Sequence, residues 1–226
     1  MIDIGITNKK LQDRLKTLSI DPNQIDVIFI THEHIDHIQG LKVFLNKYNP
    51  KVYISRGTYS ALGFEIKNVS FINVNDVIEL FGSEFHILHT SHDANESNGV
   101  MIKNEEQKIV HITDTGYINE KTLKKIIDAN VYLMESNYDP EILMNNDRYP
   151  FKTKQRIISD LGHLSNLQCH DYLEEIVTHN TNTILYAHLS ENNNMQSYVI
   201  DLNKNIDVHN QIVLQKDEIV EVVIEN

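Results

Sequence analysis

The strongest chemical signal in the sequence is a run of metal-ligand side chains between residues 32 and 37. His32, His34, Asp36 and His37 place three imidazoles and one carboxylate within six residues. Imidazole and carboxylate groups bind zinc and other borderline divalent ions. Because side chains two residues apart in an extended segment point the same way, His32 and His34 can share one ion, while Asp36 and His37 face a neighbouring ion. A polar loop without a metal is the alternative, which this spacing disfavours.

The residues around this run predict that it lies at the edge of a sheet. An apolar, β-branched strand is expected over residues 25–30, and a helix over residues 41–48 that stops at Asn49-Pro50. α/β proteins commonly place their ligands on such strand-to-helix loops.

Strand and helix patterns continue through the rest of the chain. Further strands are expected over residues 52–54, 69–74, 77–80, 84–88, 100–103, 108–112, 131–134, 183–187, 212–214 and 219–224, and helices over 119–129, 166–177 and 195–202. Asn119 is the expected N-cap of its helix, and residues 104–107 join a hairpin. The mixture indicates a layered α/β fold, and the absence of a Gly- or Pro-rich linker favours a single domain over residues 1–226.

The composition limits where the protein acts and on what. The 226 residues carry a net charge of −12 and a single cysteine, Cys169. One cysteine cannot form an internal disulfide. The sequence has neither a signal-peptide pattern nor an apolar run of membrane length. We therefore expect a cytoplasmic protein with no membrane partner. The acidic charge argues against a protein that coats nucleic acid through its overall field.

One stretch of the chain is locally basic. Arg148, Lys152, Lys154 and Arg156 lie within residues 148–159, which contain no acid. Any contact with nucleic acid is therefore expected at this patch, although a solvated loop is the commoner outcome for a run of charges.

The histidine run matches the HxHxDH signature, and the chain resembles the metallo-β-lactamase superfamily. Three later segments follow the order of that superfamily: Ser91-His92-Asp93-Ala94, Thr113-Asp114-Thr115-Gly116 and Ala187-His188-Leu189-Ser190. The resemblance implies that one metal ion is bound by His32, His34 and His92, that a second is bound by Asp36, His37 and His188, and that Asp114 bridges the two.

The ligand types and the spacing between the motifs exclude several groups within the superfamily. A zinc β-lactamase commonly uses a cysteine ligand, whereas Cys169 lies far from these segments. The 49 residues from Asp114 to His163 are too few for the domain that the β-CASP nucleases insert there. The 22 residues from His92 to Asp114 have room only for a hairpin, whereas transfer-RNA 3′-processing enzymes usually carry an arm between these positions.

The remaining similarity is to the YycJ (WalJ) group of metallo-β-lactamase-fold nucleases. It rests on THEHIDHIQGL at 31–41, TDTGY at 113–117, ESNYDP at 135–140, GHLSN at 162–166 and AHLSENN at 187–193. The group implies a four-layer αββα fold, two divalent ions (zinc or manganese) and 5′-to-3′ exonuclease activity on double-stranded DNA. Tyr138 stands where the group is expected to have a histidine.

The N-terminal residues depart from the start of the chain that is expected for this group. Residues 1–5 match a strand that the group reaches after an N-terminal hairpin, so the fold is expected to be N-terminally shortened. Asp3 is expected either to orient a ligand histidine or to be an ordinary acid at the end of a strand. A strand left unpaired near residues 2–6 would favour association, so a homo-oligomer is a further expectation.

The resemblance implies a mechanism in which a hydroxide held by two metal ions attacks the phosphorus atom of a phosphodiester. His163, 25 residues before His188, is assigned as the general acid for the leaving oxygen, with a helix-capping or core role as the alternative. Asp36 is counted with His163 as catalytic. Lys154 and Arg156 are the candidates for binding flanking phosphates.

Two other classes of function remain open. A small-molecule hydrolase of the same fold, such as a cyclic phosphodiesterase, thioesterase or lactonase, would keep the metal ligands but would not need His163 or the basic patch. A truncated, non-catalytic remnant is the other alternative.

We predict that the purified protein binds close to two divalent ions per chain, because seven ligands are too many for one tetrahedral ion. Elemental analysis after loading with zinc or manganese measures this directly. A chain that stays metal-free with all its ligands intact would contradict the assignment to a hydrolase.

Overall fold

The structure, a computed structural model, describes residues 1–216 and 218–224. The chain divides into two compact units, the first built from Met1–Asp76 with Ala94–Asn98 and the second from Val77–Asp93 with the chain from Gly99 onward. The single domain expected over residues 1–226 stays a prediction.

The first unit alternates short helices with parallel strands. Its elements are α1 (Asn8–Thr17), a 3-10 turn (Pro22–Gln24), β1 (Val27–Ile30), α2 (Ile35–Ile38), α3 (Leu41–Leu45), β2 (Lys51–Ser55), α4 (Arg56–Ala61) and β3 (Val69–Ile72). Within the described residues the strands pair in the order β1-β2-β3, all parallel. Every residue of β1 is buried, as expected for a parallel strand covered on both faces.

The apolar core of the first unit collects side chains from α1, β1 and α3. Ile28 and Ile30 cluster with Leu11, Leu15 and Phe44. Because Leu11 and Leu15 are four residues apart, α1 buries one narrow stripe while the rest of the helix remains polar.

The segment before α1 runs along β1. The amide of Phe29 donates to the carbonyl of Met1 at 2.9 Å, and the amide of Asp3 donates to the carbonyl of Phe29 at 2.8 Å. Further on, the amide of Ile4 donates to the carbonyl of His37 at 2.8 Å. This segment therefore links the end of β1 to the histidine run.

The second unit is built around one mixed sheet. Its elements are β4 (Val77–Leu80), β5 (Ser83–His89), β6 (Asn98–Lys103), β7 (Lys108–Ile112), α5 (Glu120–Ile126), β8 (Val131–Glu135), α6 (Pro140–Asn145), α7 (Phe151–Ile158), α8 (Asn166–Ile176), β9 (Thr183–Ala187), α9 (Gln196–Asn203) and β10 (Asn210–Val213). For the described residues the strand order is β10-β9-β8-β7-β6-β5-β4. Strands β7 to β10 are parallel, so the chain leaves β7, β8 and β9 at the same edge of the sheet.

The core of this second unit lies against one face of the parallel strands. Val110 and Ile112 of β7 and Tyr132 and Met134 of β8 cluster with Leu173 of α8. Alternate residues of neighbouring strands thus point to the same helix-covered side, which holds the strand ends in a fixed register.

The observed elements confirm the mixed α/β class, the β6–β7 hairpin and the N-cap at Asn119, whose side chain accepts from the amide of Thr122. Sequence patterns do not predict helices α1, α4, α6 and α7, because each is short or has only a narrow apolar stripe. The strand expected at 219–224 is wrong: the described residues there have no assigned strand, since β-branched residues form a strand only where a neighbouring strand pairs with them.

None of the helices in the described chain is long and apolar enough to cross a membrane.

We predict that Tyr132→Phe lowers the free energy of unfolding by about 1–3 kcal/mol. The buried hydroxyl of Tyr132 accepts from the amide of Ala129 at 3.0 Å and lies 2.7 Å from the carbonyl of Ile126, to which it donates. Removing it leaves these buried groups without that partner. Urea unfolding measures the change, and the matched control is Tyr198→Phe at a tyrosine that is 46% exposed, which should cost less than about 0.5 kcal/mol. Equal effects at both positions would contradict the explanation.

Candidate metal centre

The histidine run of the first unit begins directly after β1. His32 is buried, and its Nε2 atom lies 3.0 Å from Nδ1 of His34. Two nitrogens that share one tetrahedral zinc at the usual bond length lie about 3.3 Å apart, so this pair has nearly the separation that a common ion requires. Asp36 and His37 lie on the single turn of α2, not on an extended loop as predicted, because the helix starts at Ile35.

The carboxylate of Asp3 contacts the Nδ1 atom of His37. The carboxylate lies 2.7 Å from this atom and accepts from both the amide and the hydroxyl of Thr31, at 2.8 and 2.7 Å. These contacts orient the ring of His37, as expected for Asp3, whereas the binding of a metal ion by His37 stays a prediction. With Nδ1 bonded to a carboxylate, the Nε2 atom of His37 is left to face a metal ion.

Glycines allow the backbone to approach this loop closely. A Cβ atom added at Gly5 would lie 1.8 Å from the carbonyl oxygen of Asp36. One added at Gly40 would lie 2.4 Å from the carbonyl oxygen of Ile6. No other residue type fits these positions unless the N-terminal segment moves away from the histidine run.

The second unit carries its own group of ligand side chains at the edge where β7, β8 and β9 end. Asp114 follows β7, Glu135 ends β8 and His188 follows β9. Nε2 of His188 lies 3.1 Å from Oδ1 of Asp114. Single ligand atoms from Asp114, Glu135, His163 and His188 all lie within 4.8 Å of one another. Asp114 and His188 offer the oxygen and nitrogen atoms that a borderline divalent ion accepts, and Glu135 and His163 lie beside them.

His92 joins this group from the segment after β5. It is buried, with Nε2 3.9 Å from Oδ1 of Asp114, and its Nδ1 lies 3.1 Å from the carbonyl oxygen of Gly162. Because a carbonyl can only accept, Nδ1 carries the proton and Nε2 remains available to a metal ion. Burial lowers the pKa of His92 below its ordinary value, which keeps the ring neutral, as ligation requires.

Glu135 is a candidate site residue that the sequence interpretation missed. It is fully buried, and its Oε1 atom lies 2.6 Å from Nδ1 of His163 and 2.9 Å from Nδ1 of His188. Its Oε2 atom accepts from the amides of Thr115 and Leu164, at 2.9 and 3.3 Å. One carboxylate thus fixes both imidazoles. Its position as the last residue of β8, on the same edge as Asp114, is the signal that could have identified it.

The charges of these groups are coupled. Burial alone would raise the pKa of Glu135, but its contacts with His163 and His188 outweigh burial and lower it, so Glu135 is ionised. Burial alone would lower the pKa of His163, but the charge and hydrogen bond of Glu135 raise it above its ordinary value. His163 therefore keeps its proton to a higher pH than an isolated histidine would.

Backbone strain marks two members of this group. Asp114 and His188 have φ angles of 55° and 58°, in the left-handed region that residues other than glycine rarely adopt. In the first unit, Asp3 has a φ angle of 54°. Such strain costs about 1–3 kcal/mol per residue and clusters at functional sites, where the surrounding structure enforces it.

The two predicted phosphate-binding residues have different environments. Lys154 is buried on α7, and its ammonium group donates to the carbonyl of Met144 at 2.7 Å, which stabilises the end of α6. The structure gives Lys154 this structural role in place of the predicted phosphate contact. Arg156 has a side chain that is 65% exposed and forms an ion pair with Asp93, next to His92.

The chain matches the β-lactamase superfamily domain over residues 3–188. It is 36% identical over 201 residues to an exodeoxyribonuclease YycJ of Bacillus anthracis, which covers 87% of this chain and 76% of the relative. It is 32% identical over 207 residues to an exodeoxyribonuclease WalJ of Streptococcus pneumoniae, with 87% and 75% coverage. The chain belongs to the β-lactamase superfamily.

Within the superfamily it belongs to the group of YycJ and WalJ, as the sequence motifs predicted. The metallo-β-lactamase fold protein YhfI of Bacillus subtilis superimposes with a TM-score of 0.70 at 13% identity, covering 95% of this chain and 83% of YhfI, which confirms the fold. Superfamily membership and these relatives support a metal-dependent hydrolase that uses divalent ions. The assignment of individual ligands stays a prediction.

We predict that Glu135→Gln lowers metal affinity and activity at least tenfold. If the glutamine oxygen keeps the amide of Thr115, its NH₂ group must face Nδ1 of His163 and His188. Both rings would then have to accept at Nδ1 and carry the proton on Nε2, which stops His188 from ligating. Competition with a chelator measures the affinity. Glu141→Gln, at an exposed glutamate, is the control. Unchanged affinity in Glu135→Gln would show that the carboxylate does not fix the rings.

Proposed function

We propose that the protein is a 5′-to-3′ exodeoxyribonuclease that hydrolyses phosphodiester bonds with two divalent ions, zinc or manganese. The observation that carries the proposal is the contact of His163 with the buried carboxylate of Glu135, beside His188. A hydrolase acting on a thioester has no need for such a held proton donor, because a thiolate leaves without being protonated. Relatives named exodeoxyribonucleases over most of the chain support the same activity.

The proposed ligands are those that the superfamily pattern implies. One ion would be held by His32, His34 and His92, the other would be held by Asp36, His37 and His188, and Asp114 would contribute to both. Divalent ions at such ligands lower the pKa of water to near neutrality and neutralise charge on a phosphoryl oxygen. The protein's part is to present the right nitrogens, which Asp3, Gly162 and Glu135 do through the Nδ1 atoms of their histidines.

His163 acts on the leaving oxygen in this proposal. The oxygen that departs from phosphorus must gain a proton, and His163 holds one through the influence of Glu135. Nδ1 is bonded to the carboxylate, so Nε2 is the atom that donates. His163 is a proton donor and not a metal ligand.

Arg156 is the proposed contact for a phosphate next to the one that is cut. Its guanidinium is exposed and anchored by Asp93, which follows the ligand His92. An exposed arginine fixed at one side can still offer donors to a phosphate. DNA is favoured over RNA as the substrate. A homo-oligomer and a cytoplasmic location stay predictions.

The function is tested with the metal-loaded protein on duplex DNA, single-stranded DNA and RNA. Duplexes labelled at the 5′ end should release the label first as a mononucleotide, whereas duplexes labelled at the 3′ end should shorten gradually. Asp114→Asn is the metal-site control and should be inactive. Faster hydrolysis of RNA, a thioester or a lactone than of DNA would overturn the proposal.

We predict that His163→Ala lowers kcat on DNA about 10²- to 10⁴-fold while leaving the metal content unchanged. In the wild type, kcat should fall as pH rises through the raised pKa of His163, because the donor loses its proton there; the variant should lack this limb. A p-nitrophenyl phosphodiester of thymidine has a leaving group that needs no proton, so the variant should cleave it at nearly the wild-type rate. Equal losses on both substrates would contradict the role of general acid.

A further inference from the structure

Leu161 is an apolar side chain held at an unusual place beside the proposed site. It lies between α7 and α8, and 54% of it is exposed. Single exposed leucines are common on protein surfaces and carry no meaning by themselves. What distinguishes Leu161 is its position two residues before His163 and the way in which its backbone is fixed.

Backbone hydrogen bonds hold Leu161 on both sides. Its carbonyl accepts from the amide of Asp93 at 3.0 Å, and the amides of the next two residues, Gly162 and His163, donate to the carbonyls of Ser159 and Ile157 at 2.8 and 2.9 Å. Such a segment fixes the direction in which the side chain of Leu161 leaves the backbone.

The neighbouring glycines show how tightly this segment is packed. A Cβ atom added at Gly162 would lie 2.1 Å from the carbonyl of Ile157, and one added at Gly116 would lie 2.4 Å from those of Ser159 and Asp160. The segment is thus clamped between the end of α7 and the loop that carries Asp114.

Leu161 is linked to site groups through the residue that follows it and through its hydrogen-bond partner. The carbonyl of Gly162 holds Nδ1 of His92, and the amide that bonds Leu161 belongs to Asp93, the partner of Arg156. Leu161 therefore directly precedes the glycine that holds a proposed ligand, and it lies two residues before the proposed proton donor.

The chemistry of the side chain limits what it can contact. An isobutyl group offers nothing to a phosphate or a metal ion. The apolar parts of a nucleotide are the faces of its base, which protein side chains commonly cover when single strands are bound. Ile158 and Leu167, which are 44% and 51% exposed, end α7 and begin α8 on either side of this segment.

We infer that Leu161 contacts the base of a nucleotide that adjoins the bond being cut, and so positions the end of the DNA strand. This inference rests on the proposed function and deepens it, since it names a substrate-binding residue that the superfamily pattern does not assign. The contact is independent of base identity, because every base has an apolar face.

The test combines a protein change with a substrate change. The wild type and Leu161→Ala are compared on a duplex with all its bases and on duplexes with one abasic nucleotide at the first, second or third position from the attacked end. If Leu161 touches a base, each change alone should lower kcat/KM roughly fivefold, and both together should lower it by about the same factor. The responding abasic position identifies the base.

Three controls isolate the contact. Leu161→Met keeps an apolar side chain of similar volume and should restore most of the rate. Phe81→Ala removes a side chain that is even more exposed, at 71%. Phe81 precedes β5 and His92 follows it, so the length of the strand separates the two residues by roughly 20 Å or more. This variant should therefore have no effect on the rate. Melting temperature and metal content should match the wild type in all three variants.

The outcomes separate the inference from the proposed function. One contradicting outcome is that the losses in kcat/KM from Leu161→Ala and from every abasic position multiply, to about twenty-fivefold. Another is that the variant is as fast as the wild type. In either case Leu161 does not contact a base, and only this inference fails. If the metal-loaded wild type degrades none of the nucleic acids, the proposed function fails and the inference falls with it.

Discussion

A histidine that ligates a metal ion or donates a proton through one ring nitrogen depends on what holds the other nitrogen. If the second nitrogen is free, the ring can rotate or change its tautomer, and the working nitrogen is no longer defined. In this protein an oxygen acceptor lies at Nδ1 of each of four site histidines. The pairs are His37 with Asp3, His92 with the carbonyl of Gly162, and both His163 and His188 with Glu135. The remaining features of each unit serve to keep these oxygens in place.

The backbone around these oxygens is held tightly, which costs conformational energy. Asp3, Asp114 and His188 adopt left-handed φ angles, and added Cβ atoms at Gly116 and Gly162 would collide with backbone carbonyls. Strain of this kind persists only where surrounding hydrogen bonds and packing enforce it. The buried clusters beneath β1 and beneath β7 to β9 provide that enforcement in their own units. A packed core here determines the orientation of the polar groups at the strand ends.

An acidic chain with the proposed activity on DNA would have to make its electrostatic contacts locally. The net charge is −12, and the locally basic stretch loses one member when Lys154 is buried to bond a helix end. Arg156 stays exposed but is paired with Asp93. Binding to phosphate is therefore expected to depend on a few placed donors and on the metal ions. The apolar contact inferred for Leu161 would add affinity that salt does not screen.

The sequence by itself determined the superfamily, the histidine run and the order of the proposed ligand segments, because each depends on residue types at short, characteristic spacings or on motifs that match the family pattern directly. It also gave most strands and the longer helices from local patterns, although their ends differ by a few residues. For Asp3 the sequence left two roles open, and only its contact with Nδ1 of His37 in the structure distinguishes them. The tertiary structure alone revealed that Glu135 joins His163 and His188 and that Lys154 is a buried structural cation. It also showed that residues 219–224 form no strand although their pattern favours one. The physical reason is the same in each case. Burial, hydrogen-bond partners and strand pairing are supplied by segments far away along the chain, and a glutamate at the end of a strand looks the same in sequence whether water or two imidazoles surround it.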